Sequence, residues 1–453
     1  MKKNLFIVLI GMVVLIGCRD PQRLDYAAPV TIPHTERQMK SPGFWIAKIP
    51  FPDTTILTSS EIAKLNYHIC HQLKLATDFK SIPREYSGKA LRQTFLDDLK
   101  EQQRQPRFNV FGKMVNQQYF DQLNVNMDIS GIPASVIPQY GFVTRYVDQR
   151  ILPSDEVLTE KPFDREFDEL QNSSLDIGTP LVIVAQTKDQ VWVYAHAPTS
   201  SGWIKKSRVG MCSEDAFQQF TYGRATFVVI APKADIYLDE GLTAYYDYVR
   251  MGTTFPGIGA TGDAAQIVIP VRTIDGRLLE RAAFVKYTDV RIGYLPYTPR
   301  VIIEQAFKLL NAPYGWGGMG GEQDCSSFIQ QVFATVGIDL PRNSSAQGKV
   351  GTPLGNFTAQ TPERKKIYAL VKKAMGGVTL LQLKGHILLY LGMHKGRFYA
   401  IHETYGYGQP EGSRSISRIV NRVVVSDLSL GRGSKKGSLL ERIVSMRKLV
   451  SSD

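Results

Sequence analysis

The chain has 453 residues, 43% of them hydrophobic and 21% charged. That is enough apolar material for proper cores, and enough length for about three domains at roughly 150 residues each. The formal net charge of +12 suits nucleic acid in principle, but the basic residues form no clustered stripe, and nucleic acid is set aside.

Lys2 and Lys3 precede an apolar stretch over residues 5–16. It is shorter than the roughly 20 residues of a bilayer span, so it reads as a secretory signal. It ends in Leu15-Ile16-Gly17-Cys18, which resembles the lipobox of bacterial lipoproteins. That resemblance implies lipid on Cys18 as the mature N-terminus; an ordinary signal peptide is the alternative. Arg19, rather than Asp, follows Cys18, which in enterobacteria-like sorting does not retain a lipoprotein at the inner membrane. The expected place is the cell envelope, lipid-anchored, on the periplasmic face of the outer membrane if the host is Gram-negative. Export also turns the positive charge towards anionic membrane surface or wall polymer. Residues 1–18 are thus signal, and 19–40, polar and without periodicity, a tether.

Residues 41–140 read as mostly helical. Thr58-Ser59-Ser60-Glu61 fits a capping box, and Ile62, Leu65, Ile69 and Leu73 make an apolar stripe. Leu91, Phe95, Leu96 and Leu99 suggest a second helix, and 100–140 is irregular. His68 and His71 lie three apart with no third ligand in view, so no metal is expected, and no cofactor. Cys70 and Cys212 fall in different expected domains and read as free thiols rather than a disulfide.

From about 141 the texture changes to short strands: Pro180-Leu181-Val182-Ile183-Val184-Ala185, Gln190-Val191-Trp192-Val193-Tyr194-Ala195 and Gly202-Trp203-Ile204, separated by Lys188-Asp189 and Pro198-Thr199-Ser200-Ser201. This spacing suits a small β-barrel over 141–212. A second all-β unit over 213–298 holds Thr226-Phe227-Val228-Val229-Ile230, Gln266-Ile267-Val268-Ile269-Pro270-Val271, the turn Asp275-Gly276 and Ala283-Phe284-Val285.

Residues 299–453 open with a helix over 302–310. Tyr314-Gly315-Trp316-Gly317-Gly318-Met319 is too rich in glycine for helix or ordinary strand, and its glycines leave space for a substrate backbone. Phe328, Ile329, Val332, Phe333 and Val336 follow at helical spacing and Gly337 closes the run, so Cys325 sits in the first turn with Asp324 or Ser326 near the N-cap. Free N–H groups and the helix dipole there favour a thiolate. His386 begins one strand-like run and His402 ends another, joined by the turn His394-Lys395-Gly396. Antiparallel pairing sets both on one face, as a base and its orienting group require. Residues 356–384 read as an inserted helix-like segment, and the tail around Gly431-Arg432-Gly433-Ser434-Lys435-Lys436 as flexible.

These residues carry a resemblance. Asn311-Ala312-Pro313-Tyr314-Gly315-Trp316-Gly317-Gly318, Asp324-Cys325-Ser326-Ser327-Phe328, Leu340-Pro341-Arg342-Asn343-Ser344, Gly385-His386 and His402 resemble the NlpC-type cysteine peptidases that cut bacterial cell-wall peptides. Gly202-Trp203-Ile204 resembles the closing strand of a bacterial SH3-like domain, and tandem SH3-like barrels before the peptidase are the arrangement of the YkfC-like murein-peptide hydrolases. The resemblance implies an α+β chain: a papain-like catalytic domain over 299–453, preceded by two SH3-like β-barrels and a helical stabilising segment. It implies a nucleophilic Cys325, His386 as base, His402 orienting it, and scission of the γ-D-glutamyl–diamino acid bond through a thioester. Tyr314, Trp316, Asp324, Ser326, Arg342, Asn343 and Ser344 are the implied substrate contacts. Murein peptides or peptidoglycan are the implied partner, with the chain acting as a monomer.

One position departs from type. Relatives that require a free L-Ala amine carry Arg-Asp-Ser, whereas Asn343 supplies no charge, and a charge-assisted bond is roughly twice as strong as a neutral one. Either Glu166, Asp168 or Glu169 of the first barrel compensates, or the requirement is relaxed. Two other readings fit the chain: a non-catalytic wall-binding lipoprotein working through its SH3-like domains, and a murein amidase or acyltransferase on the same scaffold.

Overall fold

The structure, a computed structural model, describes residues 31–412 and 414–450. The signal stretch, Cys18 and most of the expected tether lie outside them. No helix among the described residues is long and apolar enough to cross a membrane.

The N-terminal segment divides its apolar side chains between two cores. Met39, Trp45, Ile46 and Ile49, then Ile62, Leu65 and Ile69, pack against the C-terminal part of the chain. The helix carrying Ile62 and Leu65, α1 (Ser59–Tyr67), starts at Thr58 in the expected capping box and runs on into a π-helical turn, His68–Gln72, which carries Ile69. Trp45 is fully buried and donates its indole N–H to the Met39 carbonyl at 2.8 Å. Burial of one such side chain contributes about 1.5–3 kcal/mol. The second helix, α2 (Gly88–Gln103), and α3 (Gln117–Asn126) turn instead to the first β unit, where Phe95 stands 5.0 Å from Trp203 and 4.8 Å from Tyr194. Leu91, Phe95 and Leu99 form the buried stripe of α2, but Leu96 is exposed: at i+1 from Phe95 it falls off that face. Cys70 and Cys212 are free and half-buried, and His71 Nε2 contacts Asp78 at 2.9 Å.

The first β unit is a seven-stranded antiparallel sheet of β1 (Gln139–Val143), β2 (Val147–Arg150), β3 (Gln171–Leu175), β4 (Pro180–Gln186), β5 (Trp192–His196), β6 (Ser201–Lys205) and β7 (Val209–Cys212) in the order β3-β2-β6-β5-β4-β1-β7. A helix absent from the sequence reading, α4 (Glu214–Tyr222), sends Phe217 and Phe220 back into its core. The second unit holds β8 (Thr226–Val229), β9 (Lys233–Tyr237), β10 (Tyr245–Arg250), β11 (Thr254–Thr261), β12 (Ala264–Arg272), β13 (Leu278–Lys286) and β14 (Val290–Ile292), ordered β10-β9-β13-β12-β11-β8-β14.

The C-terminal part packs α5 (Pro299–Lys308) and α6 (Cys325–Ala334) on a six-stranded antiparallel sheet. Its strands are β15 (Thr352–Asn356), β16 (Thr379–Leu383), β17 (His386–His394), β18 (Arg397–Glu411), β19 (Arg414–Asp427) and β20 (Ile443–Lys448), ordered β15-β20-β16-β17-β18-β19. Two expectations are corrected here. Residues 356–384 hold one helix, α7 (Glu363–Lys372), followed by β16, an inner strand whose five residues are all buried. A strand covered on both faces shows no alternation, so its apolar run gave no strand signal. The tail is not a loose end: Leu428, Leu430, Leu439 and Leu440 are buried, Arg432 pairs with Glu363 at 2.7 Å, and β20 lies between β15 and β16.

Candidate active site

Helix α6 places Cys325. Asp324 caps it: its Oδ1 accepts the backbone N–H of Ser326 at 3.1 Å and of Ser327 at 2.9 Å, and the Ser326 hydroxyl at 2.9 Å. Arg342 closes the other side, with Nη2 2.8 Å from Oδ2 and Nη1 3.1 Å from Oδ1. Burial opposes ionisation of this carboxyl, yet the Arg342 charge and these hydrogen bonds prevail and hold it below its ordinary range. Arg342 also donates to the Ser326 hydroxyl at 3.0 Å and to Ser173 Oγ on β3 at 3.0 Å. Asp324, Ser326 and Arg342 are therefore committed to one another and to the first β unit.

Strand turns place the histidines. A two-residue connection, Lys384-Gly385 with Gly385 at φ 73°, starts β17 at His386. The turn at Lys395 and Gly396, both at positive φ, folds β18 back so that Leu389 faces Ile401. His402 is then diagonal to His386 on the same face. His386 Nε2 and His402 Nδ1 are 2.9 Å apart, and His402 Nε2 is 2.9 Å from Ser426 Oγ on β19. The backbone N–H of Ile387, the residue after His386, acts on the Cys325 thiol and favours its ionised form. Sequence reasoning missed Ser426; a lone hydroxyl ending the buried run Val423-Val424-Val425 was the available signal.

Burial sets the protonation. It pushes the Cys325 thiol up to about 12, helped by Asp324 and opposed by the N–H of Ile387 and the Arg342 charge. It pushes His386 down to about 3, with Arg442 adding to the effect, and His402 well below its usual value. The resting pair is neutral thiol and neutral imidazole. The helix N-terminus, expected from sequence to favour a thiolate, is outweighed by desolvation and the capping carboxylate.

Gly317, Gly318 and Gly321 of the glycine run are packed against neighbouring residues, whereas Gly320 faces open space. A Cβ on Gly318 (φ 84°) would meet Ser174 Oγ at 2.1 Å, and one on Gly321 (φ 75°) would meet Tyr248 Oη at 1.8 Å. Tyr146 Oη donates to the Gly318 carbonyl at 2.9 Å and accepts the Gly321 N–H at 3.1 Å. The loop is thus fastened to both β units. Trp316 donates its indole N–H to the Asp168 carbonyl at 3.0 Å. Phe167, on the β2–β3 loop, lies 5.2 Å from the Trp316 ring and 4.8 Å from Tyr405, and Tyr405 lies 5.9 Å from Tyr314. Burial, then the charges of Cys325 and Asp324, raise the Tyr314 hydroxyl, which stays a hydrogen-bond donor.

Asn343 is exposed and caps the one-turn helix Ser344–Gln347 through the Ala346 N–H at 2.8 Å, with Ser344 half-buried at its start. Of the three carboxylates considered in place of its missing charge, Asp168 is held by Arg150 at 2.5 Å and Glu169 faces Arg107 at 3.7 Å. Glu166 is exposed, and its charge reaches the Tyr405 hydroxyl.

Residues 311–409 match the model of the NlpC/P60 family, and residues 160–205 that of the SH3 domain of SH3b1 type. A solved NlpC/P60 endopeptidase from Photobacterium damselae subsp. piscicida superposes with a TM-score of 0.72, covering 90% of this chain and 97% of its own, at 17% identity. At that identity the likeness is one of fold. A "Probable endopeptidase" of Corynebacterium glutamicum is 33% identical over 73 residues, 16% of this chain and 35% of its own. The gamma-D-glutamyl-L-lysine dipeptidyl-peptidase of Bacillus subtilis is 35% identical over 80 residues, 17% of this chain and 27% of its own. The matches thus span about a third or less of these curated relatives. Residues 311–409 thus form a domain similar to the NlpC/P60 family, with a stretch similar to the SH3 domain of SH3b1 type ahead of it.

Proposed function

We propose that the protein is a peptidoglycan hydrolase, a cysteine endopeptidase that cuts the γ-D-glutamyl–diamino acid bond of murein stem peptides. The observation that carries this is the alignment of His386 Nε2 on His402 Nδ1 at 2.9 Å, on a strand whose Ile387 N–H acts on the Cys325 thiol. That contact occupies Nε2 and leaves Nδ1 of His386 for the thiol. As the sulfur attacks the γ-glutamyl carbonyl, His386 takes the thiol proton. The oxyanion forms at the Cys325 N–H in the first turn of α6, with the Tyr314 hydroxyl as a second donor. The imidazolium then protonates the leaving amine, and water hydrolyses the thioester.

The bond chosen is supported by the likeness to the Bacillus subtilis dipeptidyl-peptidase, which extends over 80 residues of this chain. Phe167 and the acidic loop around it stand at the aromatic wall of the site. Glu166, which of Glu166, Asp168 and Glu169 is the one without an ion-pair partner among the described residues, is the group we assign to a free substrate amine in place of Asn343. Action on the wall places the protein in the cell envelope, with Cys18 as its lipid anchor.

The test is mass spectrometry of L-Ala-γ-D-Glu-diaminopimelate incubated with the chain from residue 19 onward, beside the same peptide acetylated at its N-terminus. Release of diaminopimelate from the free peptide alone supports the endopeptidase with its amine site. Equal cleavage of both overturns the amine site, and cleavage of neither, with Cys325 reduced, overturns the enzyme reading in favour of wall binding.

A further inference from the structure

Directly after His402 in β18, Glu403 is 0% exposed. Its Oε2 accepts a hydrogen bond from Gln323 Nε2 at 3.3 Å, and its Oε1 has no hydrogen-bond partner among the described residues. No cation is among the groups acting on it: its charged neighbours, Asp324 and Glu322, are both acidic. A carboxylate with no counter-charge and no exposure is a costlier occupant of such a place than a carboxylic acid, which buries no charge. Burial accordingly raises the group to about 9. Gln323 is two residues before Cys325, and its carbonyl accepts the Gly315 N–H at 2.8 Å, so the side chain that Glu403 holds belongs to the strip joining the glycine run to the catalytic-type helix.

We propose that Glu403 is a positioning residue that works in its neutral form, holding Gln323 and with it the loop that presents Asp324 and Cys325, and that its ionisation, which sets an unpaired charge beside Asp324 and Glu322, loosens this loop by drawing water to the carboxylate although the Gln323 bond itself favours the charge. The groups facing it are accounted for element by element. The cysteine loop contributes Glu322 and Asp324, whose negative charges oppose ionisation. The segment before the glycine run contributes Tyr314, itself kept neutral. On its own strand His402 is neutral, and across on β19 the partner is Val423. Of the nearby cations, Arg342 is bound to Asp324 by two hydrogen bonds, and Arg442 acts on His386 and His402.

The proposal rests on Cys325 being the reactive group, so its test has one arm that reads Glu403 without turnover. In the unfolded chain a glutamate loses its proton near 4.3; in the fold Glu403 keeps it to about 9. The folded state therefore holds one more proton across that window, and stability falls as pH rises through it. Glu403→Gln, which mimics the neutral acid, has no such slope. Thermal melting of the full chain against pH should show the unfolding constant of the wild type, relative to Glu403→Gln, growing by up to about tenfold per pH unit between roughly 5 and 9. A ratio that does not change with pH overturns the proposal, whatever the enzyme does. In the second arm, kcat/KM on the murein peptide falls above about pH 9 in the wild type. The alkaline fall is absent in Glu403→Gln, while Glu403→Ala is impaired at every pH. A Gln variant with the wild-type alkaline limb, or one as impaired as Ala at neutral pH, contradicts the positioning role.

Discussion

His402 Nε2 lies 2.9 Å from the Ser426 hydroxyl while its Nδ1 lies 2.9 Å from His386 Nε2. With both rings neutral, a base at His386 Nδ1 requires the proton on His386 Nε2. His402 Nδ1 must then accept, and His402 Nε2 donates to Ser426. One proton order runs through three side chains, and each removal should have its own signature. His386→Ala loses the base and about 10²–10⁴ of kcat. His402→Ala costs less, and His402→Asn, whose amide oxygen can accept from His386 Nε2, recovers part of that loss. Steady-state rates on the murein peptide check the order.

The neutral resting pair gives a pH signature. Burial raises the Cys325 thiol to about 12 and lowers His386 to about 3, so neither group titrates between these values. Iodoacetamide alkylation of Cys325, followed by peptide mass spectrometry, should rise steadily from pH 6 to 8.5 with the thiolate fraction. A rate already flat at pH 6 would indicate a thiolate–imidazolium pair and contradict this protonation.

Arg342 and Asp324 are buried together, with two short hydrogen bonds between them. Arg342→Met leaves a buried carboxylate alone at the N-cap of α6, and breaking such a pair is destabilising by about 3–5 kcal/mol. Denaturant unfolding measures it. Arg342→Lys should recover little, because one ammonium cannot serve Asp324, Ser326 and Ser173 at once.

Gly321→Ala meets Tyr248 at a position of positive φ. Strain and overpacking together should cost about 2–5 kcal/mol. Tyr248→Phe removes the clashing oxygen, so the double variant should regain part of the loss, a coupling that unfolding of both single variants and the pair would reveal.

Glu166→Gln should raise KM for the peptide with a free N-terminus by about tenfold and leave the acetylated peptide unchanged, if that exposed carboxylate meets the ammonium. Parallel kinetics on the two peptides decide it.

The catalytic-type residues were legible because their chemistry leaves local marks. Asp324 before a helical stripe, a glycine before His386 and a turn at Lys395-Gly396 each fix a backbone conformation within a few residues. The two β units were legible from strand length and turn residues. What escaped the sequence depended on contacts distant along the chain. Trp45 and Met39 pack on the C-terminal sheet, with the Trp45 ring 5.2 Å from Tyr399. Strand β16 is buried on both faces, and Gly318 and Gly321 of the glycine run meet Ser174 and Tyr248. Asn343 read as a substrate contact, yet its amide is a helix cap, a role its residue type also favours.

The most direct test of the central claim is intact-protein mass spectrometry after rapid acid quench of a reaction with L-Ala-γ-D-Glu-diaminopimelate. The account predicts an added L-Ala-γ-D-Glu acyl group, mapped by digestion to the peptide that carries Cys325, and no adduct and no turnover with a folded Cys325→Ala variant. Turnover by that variant, or an acyl group found on another residue, would contradict it.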